Sequence, residues 1–212
     1  PYMYHYVVTA HEGGRRLQTP LKEGKYHYMF GDDFLIAPIF RDDKNRQISL
    51  AEGKWRYFFG DKGILQGPRL VDMEFSLDEF PVFIKEGAIV PLEVKRGYTG
   101  LGDNSSDGFT TILIYPDIEN SFVYYHPTLA KETRISYIRE DSVLKVGLEG
   151  TKIPHILRIH SPMPPEGIVL DGLKLSSDSW NYDKDQEKII IKTDSDYKTG
   201  NYSVIFQSQN LK

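Results

Sequence analysis

The stretch that decides the fold of this chain is Met29-Phe30-Gly31-Asp32-Asp33-Phe34-Leu35-Ile36-Ala37-Pro38. Two short apolar runs flank Gly-Asp-Asp, and glycine and aspartate are turn formers. The pattern therefore predicts two strands joined by a tight turn. Comparable runs follow along the chain, separated by turn residues about every 8–12 positions, which is typical of all-β domains.

The predicted strands share one composition, short runs rich in branched and aromatic residues between polar turns. Glycine, proline and β-branched residues recur too often after residue 25 for a helix to be expected there. The predicted strands are Arg15–Leu21, Tyr26–Phe30, Phe34–Phe40, Gln47–Leu50, Lys54–Phe59, Arg69–Phe75, Val82–Ile84, Ala88–Pro91, Phe109–Tyr115, Ser121–Tyr125, Thr133–Arg139, Ser142–Leu148, Ile156–His160, Gly167–Leu170, Lys188–Thr193 and Tyr202–Gln207.

The segment Pro1–Gly14 has a different pattern, that of an amphipathic helix ended by Gly13-Gly14. Its apolar face is formed by Met3, Val7 and Ala10, with Tyr2 and Tyr6 beside them. No N-cap residue precedes it, so it resembles the second half of a helix. We therefore expect the segment to belong to a larger body, whose chemistry would lie upstream.

Composition limits the classes of function. The chain has 212 residues, 40% of them hydrophobic, which suits one or two domains with real cores. A net charge of −4 argues against a nucleic-acid partner or an anionic membrane surface. No run approaches the ~20 apolar residues of a membrane span. Since there is no cysteine, disulfides and thiolate sites are excluded.

A domain boundary is predicted in residues 96–108, which read Arg-Gly-Tyr-Thr-Gly-Leu-Gly-Asp-Asn-Ser-Ser-Asp-Gly. Glycine, serine and aspartate make this the most loop-like stretch of the chain. Eight predicted strands follow it, which indicates a second β-domain of sandwich type.

Three groups of residues together resemble the C-terminal region of glycoside hydrolase family 31, the family of α-glucosidases and α-xylosidases. The first comprises Pro1-Tyr2-Met3-Tyr4 and the Ala10–Leu21 segment with its His-Glu-x-Gly, Leu and Pro-Leu positions. The second is Met29–Pro38, and the third is Val82–Leu92. The three occur in the order and at the distances found in that family, and the resemblance is firm over residues 1–92.

The resemblance implies a mainly β fold with two antiparallel, sandwich-like domains after the end of a (β/α)8 barrel. Residues 1–22 would be the last helix and strand of that barrel. Residues 23–95 would form a proximal β-domain, and residues 96–212 a distal one. The family's two catalytic aspartates precede the segment that matches Pro1, so the barrel would be a partner missing from this chain.

One departure from the family lies at Gln18-Thr19, where Met-Arg is common before Pro-Leu. The segment between Leu21 and Tyr26 is also short. Because barrel active sites lie at the C-terminal ends of the strands, these differences bear on the parent enzyme's substrate preference and activity.

No catalytic pair is predicted within the chain itself. A retaining glycosidase needs two carboxyl groups about 5–5.5 Å apart. Asp32 and Asp33 are adjacent and would point to opposite faces of an extended strand, so a turn role is expected for them. The same holds for Asp42-Asp43. Asp103 resembles part of a family acid motif but lies in the predicted linker, where Asp-Asn is ordinary turn chemistry.

Neither a metal nor a cofactor is expected. The six histidines are scattered, without the His-x-His or His-Glu-x-x-His spacing of metal sites. No glycine-rich run has the spacing of a phosphate-binding loop.

Aromatic residues are the remaining candidates for sugar contact. Trp55 lies in Gly53-Lys54-Trp55-Arg56-Tyr57 and is expected to pack between strands. Trp180 and Tyr182 are predicted in a polar loop with nearby Asn and Asp side chains, and they are the candidate substrate-binding pair.

The sequence therefore predicts accessory β-domains of a retaining α-glycosidase, with the catalytic aspartates upstream and carbohydrate bound through the parent enzyme. Three alternatives stay open. The chain could be a carbohydrate-binding module, a relative that transfers sugars or has lost catalysis, or an interaction domain that forms oligomers.

Overall fold

The computed structural model describes residues 1–60, 63–97, 100–126, 131–192 and 200–207. Within them lie one α-helix, α1 (Tyr2–His11), and seventeen strands. The strands are β1 (Gln18–Pro20), β2 (Tyr28–Phe30), β3 (Phe34–Ile36), β4 (Asn45–Tyr57), β5 (Ile64–Glu74), β6 (Val82–Lys85), β7 (Ile89–Glu93), β8 (Thr110–Ile114), β9 (Glu119–Tyr125), β10 (Glu132–Glu140), β11 (Val143–Gly150), β12 (His155–His160), β13 (Gly167–Leu170), β14 (Leu173–Lys174), β15 (Trp180–Asp183), β16 (Lys188–Lys192) and β17 (Gly200–Ile205). The mainly β fold is therefore confirmed.

The chain divides into two compact units, residues 6–86 and residues 1–5 with 87–212. The division at Glu86 precedes the boundary at residue 95 that the sequence suggests. Residues 100–108 contain no strand, in keeping with their turn-rich composition.

The unit of residues 6–86 is built on one six-stranded sheet in the order β1-β2-β3-β6-β4-β5. In it β3 pairs with β6, and Leu35 lies opposite Phe83. The strand that follows Gly-Asp-Asp and the first residues of the Val82–Leu92 segment are thus neighbours in the sheet. The core against which this sheet packs comprises Leu35, Ala37, Ile48, Leu50, Trp55, Tyr57, Phe75 and Phe83.

The other unit contains two sheets, ordered β14-β13-β17-β11-β10-β9 and β15-β16-β12-β8-β7. Buried and exposed residues alternate along β10 and β11, which is the pattern of a sheet with one face on a core. A buried hydrogen bond joins the two sheets, because His155 Nε2 lies 2.7 Å from the Tyr202 hydroxyl. The arrangement is consistent with a β-sandwich.

Three details differ from the sequence-based expectations. β4 runs without a break through Ala51–Gly53, where a turn was expected, because a bulge between Leu50 and Gly53 absorbs the irregularity. β8 and β12 pair in parallel, whereas antiparallel pairing was expected throughout. Trp180 lies in strand β15, which the sequence analysis missed.

Helix α1 is confirmed, but its apolar side chains are distributed unexpectedly. Tyr2 and Tyr6 are each 2% exposed, whereas Met3 and Val7 on the predicted apolar face are 55% and 56% exposed. No helix in the described part of the chain has the length and apolar character that crossing a membrane requires.

Candidate functional site

The Gly31-Asp32-Asp33 segment forms the turn between β2 and β3, as predicted. The Asp32 side chain pairs with Arg15, and its backbone N–H donates to the Tyr6 hydroxyl at 2.9 Å. Asp33 is buried, and its carbonyl oxygen accepts the Lys85 N–H at 2.8 Å. Both aspartates therefore have structural contacts within the fold.

Asp103 caps a short 3-10 helix at Asn104–Ser106. Its carboxylate accepts the Ser105 N–H at 2.7 Å. Hydrogen bonds from Ser105 lower the pKa of the Asp103 carboxyl group below its usual value. A general acid must hold its proton near neutral pH, so this carboxylate suits a cap better than an acid catalyst.

Trp55 packs in the core as predicted. Its side chain is fully buried, and its indole N–H donates to the Ala51 carbonyl at 2.9 Å. The ring cannot present a face to a sugar in this fold.

Trp180 and Tyr182 lie on β15, at the edge of the five-stranded sheet. They pair with Ile191 and Ile189, which are completely buried, and paired residues share a face of the sheet. The Tyr182 hydroxyl donates to the Ser161 carbonyl at 3.1 Å. Packing thus uses much of both rings, and only their exposed parts remain for the predicted sugar contact.

A shallow groove of about 680 Å³ crosses the sheet that contains β9, β10, β11 and β17. Gly147 lies in its lining, and a Cβ at that position would come within 3.3 Å of Ser136 Oγ. Glu119, Lys145 and Glu149 add charges of both signs. Hydroxyl and amide groups beside these charges suit a neutral, hydroxyl-rich ligand.

An exposed aromatic corner in the unit of residues 6–86 was not singled out by the sequence analysis. Tyr26 is 61% exposed and Phe40 is 41% exposed. Their ring centroids lie 5.0 Å apart with planes at 85°, so one ring meets the other edge-on. Lys25 Nζ lies 5.2 Å from the Tyr26 centroid and 5.3 Å from that of Phe40.

The loop behind this corner is held by hydrogen bonds. The Leu21 N–H donates to the His27 carbonyl at 2.9 Å, and the His27 N–H donates to the Gly24 carbonyl at 3.2 Å. The His27 ring is buried, and its Nδ1 accepts the Ser49 N–H at 3.3 Å. Burial lowers the pKa of His27, which keeps the ring in the neutral form that can accept this bond.

Tyr26 has a positive φ of 63°, as few non-glycine residues in the described part of the chain do. Bulky residues rarely adopt this left-handed conformation. The sequence signal that could have identified the corner is the placement of two aromatic residues beside cations at strand ends, Lys25-Tyr26 and Phe40-Arg41.

No metal centre is evident in the part of the chain that the structure describes, because no three His, Cys, Asp or Glu residues lie close enough together there to hold an ion.

Comparison with known proteins shows which family residues 12–90 resemble. Residues 12–90 match the model described as glycosyl hydrolase family 31 C-terminal domain. Residues 12–90 of this chain are thus similar to the C-terminal domain of glycoside hydrolase family 31. The resemblance based on Met29–Pro38 and Val82–Leu92 is thereby confirmed.

Curated relatives of this domain act on glucosides or transfer them, according to their names. A 1,6-alpha-glucosyltransferase from Sporosarcina globispora is 31% identical over 59% of this chain and 11% of its own length. An isomaltosyltransferase from the same organism is 28% identical over 92% of this chain and 20% of its length. Alpha-glucosidase 2 of Bacillus thermoamyloliquefaciens is 25% identical over 92% of this chain and 27% of its own length. The chain thus spans only 11–27% of the length of these relatives.

Solved structures share the fold over nearly the whole chain. A family 31 dextranase from Flavobacterium johnsoniae with isomaltotriose superimposes with a TM-score of 0.81 at 20% identity, covering 97% of this chain and 31% of its own. The cycloalternan-forming enzyme of Listeria monocytogenes, in complex with a pentasaccharide substrate, superimposes with a TM-score of 0.84 at 21% identity. The match covers 97% of this chain and 22% of that enzyme.

Proposed function

We propose that this chain forms the accessory C-terminal β-domains of a retaining α-glycosidase of family 31 type. In this proposal helix α1 is the last helix of a (β/α)8 barrel, and a proximal domain up to residue 95 and a distal domain of residues 96–212 follow it. β1 pairs antiparallel with β2 and therefore belongs to the sheet of the proximal domain, not to the parallel barrel. The barrel belongs to the same polypeptide and hydrolyses or transfers α-linked glucose units. The observation that carries the proposal is the family 31 C-terminal domain at residues 12–90.

Two exposed apolar side chains of helix α1 argue for a further domain beside this chain. Met3 and Val7 expose more than half of their surface, and they lie four residues apart on one side of the helix. Two neighbouring exposed apolar side chains on a helix suit a surface that another body covers. We assign that cover to the barrel of the same polypeptide.

The chemistry is assigned to two aspartates of the barrel. One would attack the sugar and form a covalent intermediate, and the other would donate and then accept the proton. The aspartates of this chain that could imitate such a pair have other contacts. Asp32 pairs with Arg15, Asp33 is buried in a turn and Asp103 caps a 3-10 helix.

The proposal predicts that the isolated chain is not catalytic. The test incubates the purified chain with maltose, isomaltose and 4-nitrophenyl α-glucoside and measures the release of glucose or nitrophenol. No turnover above the protein-free blank is expected. Turnover that survives repeated purification and disappears in Asp103→Asn or Asp33→Asn would place the chemistry in this chain and contradict the proposal.

A second candidate function is a carbohydrate-binding module without catalysis. The groove of about 680 Å³ and the partly exposed rings of Trp180 and Tyr182 favour it. Because Trp55 is fully buried, quenching of tryptophan fluorescence by an added oligosaccharide would report on Trp180. Loss of both quenching and binding in Trp180→Ala would support this function. A Trp180→Ala protein that binds the oligosaccharide as well as the wild type does would exclude Trp180 and Tyr182 as the sugar-binding pair.

A further inference from the structure

Arg158 of β12 lies on the face of the five-stranded sheet that points away from the other sheet of its unit. His155 of the same strand reaches Tyr202 of that other sheet, and side chains three residues apart on a strand point to opposite faces. Arg158 is paired with Ile190 of β16, and Lys188 lies two residues from Ile190 on the same face. The sheet therefore carries a guanidinium group and an ammonium group on neighbouring strands of one face.

Neither cation has an ion pair in the part of the chain that the structure describes. Both side chains are partly buried. The Nε of Arg158 is shielded from water, and among the described residues it has no hydrogen-bond partner. Burial lowers the pKa of both groups, and the positive charge of Arg158 lowers the pKa of Lys188 further, so the two charges lie close enough to repel each other.

The two carboxylates whose charges reach Arg158 are held by backbone groups. Asp183 accepts two N–H groups of the turn that follows it, each at 3.0 Å, and Asp103 accepts the Ser105 N–H at 2.7 Å. Lys192, on the same face of β16 as Lys188, adds a third positive charge. A partly buried charge without a paired counter-ion is costly, and native folds rarely leave buried donors without an acceptor.

A second unsatisfied polar atom lies on the same face. Thr111 of β8 is paired with Ile156, which precedes Arg158 by two residues on β12. The Thr111 side chain is completely buried, and its Oγ1 has no hydrogen-bond partner among the residues that the structure describes. This face of the sheet thus carries unsatisfied donors on two neighbouring strands, β8 and β12.

We propose that Arg158 and Lys188 bind a small oxyanion of the phosphate type on this face of the sheet. A guanidinium group presents parallel N–H donors that match two oxygens of a phosphate, and an ammonium group beside it adds a point charge. The bound anion would supply the acceptors and the negative charge that Arg158 lacks. Free phosphate and the phosphate group of a sugar ester offer the same oxygens, and the experiment separates them.

The segment of residues 100–108 packs beside the proposed site. A Cβ at Gly102 would lie 3.4 Å from Arg158 Nη2, so the backbone there comes close to the end of the guanidinium group. Lys192 Nζ donates to the Ser105 carbonyl at 2.8 Å, which ties the same segment to β16. All of these residues belong to the unit of residues 1–5 and 87–212, so the proposal does not depend on an upstream barrel.

The experiment titrates this chain with sodium phosphate and with glucose 6-phosphate by isothermal titration calorimetry. Sodium chloride keeps the ionic strength constant, so that the screening of exposed charges does not change during the titration. Saturable binding is expected. Tighter binding of the ester would identify an organic phosphate as the occupant, and equal or weaker binding of the ester would identify the free anion. Binding of neither would overturn the proposal.

Arg158→Met and Lys188→Met each remove one charge but keep an unbranched side chain. Each should lower the affinity for phosphate at least about tenfold, the effect of losing a charge-assisted hydrogen bond. Phosphate should also raise the midpoint of thermal unfolding of the wild type and leave that of Arg158→Met unchanged. In buffer without phosphate, Arg158→Met should be at least as stable as the wild type, because it removes a partly buried charge that has no counter-ion.

Lys184→Met is the matched control, because Lys184 is an exposed cation between β15 and β16. It should bind phosphate as the wild type does. A loss of affinity equal to that of Arg158→Met would show that binding follows net charge, and wild-type affinity in both Arg158→Met and Lys188→Met would exclude the site. Either result overturns the proposal. Circular dichroism confirms the fold of each variant, and Lys188→Met carries the test if Arg158→Met does not fold.

Discussion

The hydroxyl of Tyr6 in helix α1 accepts a hydrogen bond from the backbone N–H of Asp32 at a distance of 2.9 Å. The tyrosine is 2% exposed, so the bond is largely shielded from water. It connects the helix to the Gly-Asp-Asp turn, two of the segments on which the family resemblance was based. The end of the helix from Tyr6 onward and the turn thus belong to the same compact unit.

Tyr6→Phe should destabilise the chain by about 1 kcal/mol, because the Asp32 N–H loses this acceptor while the ring keeps its packing. Urea denaturation followed by circular dichroism measures the change. Tyr4→Phe is the control, since Tyr4 lies in the same helix and is 37% exposed. A Tyr6→Phe protein as stable as the control would mean that the hydrogen bond contributes nothing.

Gly67→Ala should destabilise the unit of residues 6–86 by about 1–3 kcal/mol or more, since a Cβ there would lie 1.9 Å from the Ala51 carbonyl oxygen and would force the bulged strand to move. Gly60→Ala is the control. Among the residues that the structure describes, its Cβ would meet nothing closer than 3.6 Å, at atoms of the Tyr57 ring, so it should change stability by less than about 0.5 kcal/mol. Equal effects in thermal unfolding would contradict the close approach of β4 and β5 at the bulge.

Stability should decline as the pH falls below about 6.5, the pKa of histidine in an unfolded chain. Burial lowers the pKa of His155 below that value, so the unfolded chain takes up a proton at a higher pH than the folded chain does. The contribution of the neutral His155 ring to the free energy of unfolding is complete above pH about 6.5, and it is lost as the pH falls toward the folded-state pKa. Burial lowers the pKa of His5, His27 and His126 as well, so the effects add.

The measurement is the free energy of unfolding in urea at several pH values between about 5 and 7.5. His155→Gln should give a shallower slope below pH about 6.5, whatever its effect on stability at neutral pH. An unchanged slope in His155→Gln would show that this ring titrates alike in both states.

Val7→Glu should change the stability of the isolated chain by less than about 0.5 kcal/mol, because Val7 is 56% exposed there. In a longer polypeptide with a barrel over this face, the same substitution should cost several times more, since it would bury a charge. Thermal unfolding of both proteins makes the comparison. A large loss in the isolated chain would show that Val7 is covered within it, and a small loss in both would remove the proposed contact.

The strands were predictable where short apolar runs lie between turn formers, as in Val82–Lys85 and Gly167–Leu170. The prediction failed where pairing overrides local composition. Gly53 indicates a turn in sequence, but β5 pairs along both sides of the bulge and keeps β4 continuous. Trp180–Asp183 reads as a polar loop, and it becomes a strand because the isoleucine-rich β16 lies beside it.

The candidate site was less predictable than the fold. The roles of Asp32, Asp33 and Asp103 in turns and caps followed from local chemistry, which short sequence patterns express well. The Tyr26–Phe40 corner depends on two connections that meet at one end of a sheet. It also depends on the positive φ of Tyr26, which the residue type does not predict. Such contacts become visible only in three dimensions.

The measurement that tests the central claim most directly is the intact mass of the natural polypeptide, detected in its source cells with antibodies raised against this chain. The account predicts a polypeptide larger than 24.4 kDa by at least the ~250 residues of a barrel, with an aspartate at the ends of two upstream strands. A natural polypeptide of about 24.4 kDa would contradict it, because no catalytic domain would then exist for these β-domains to serve.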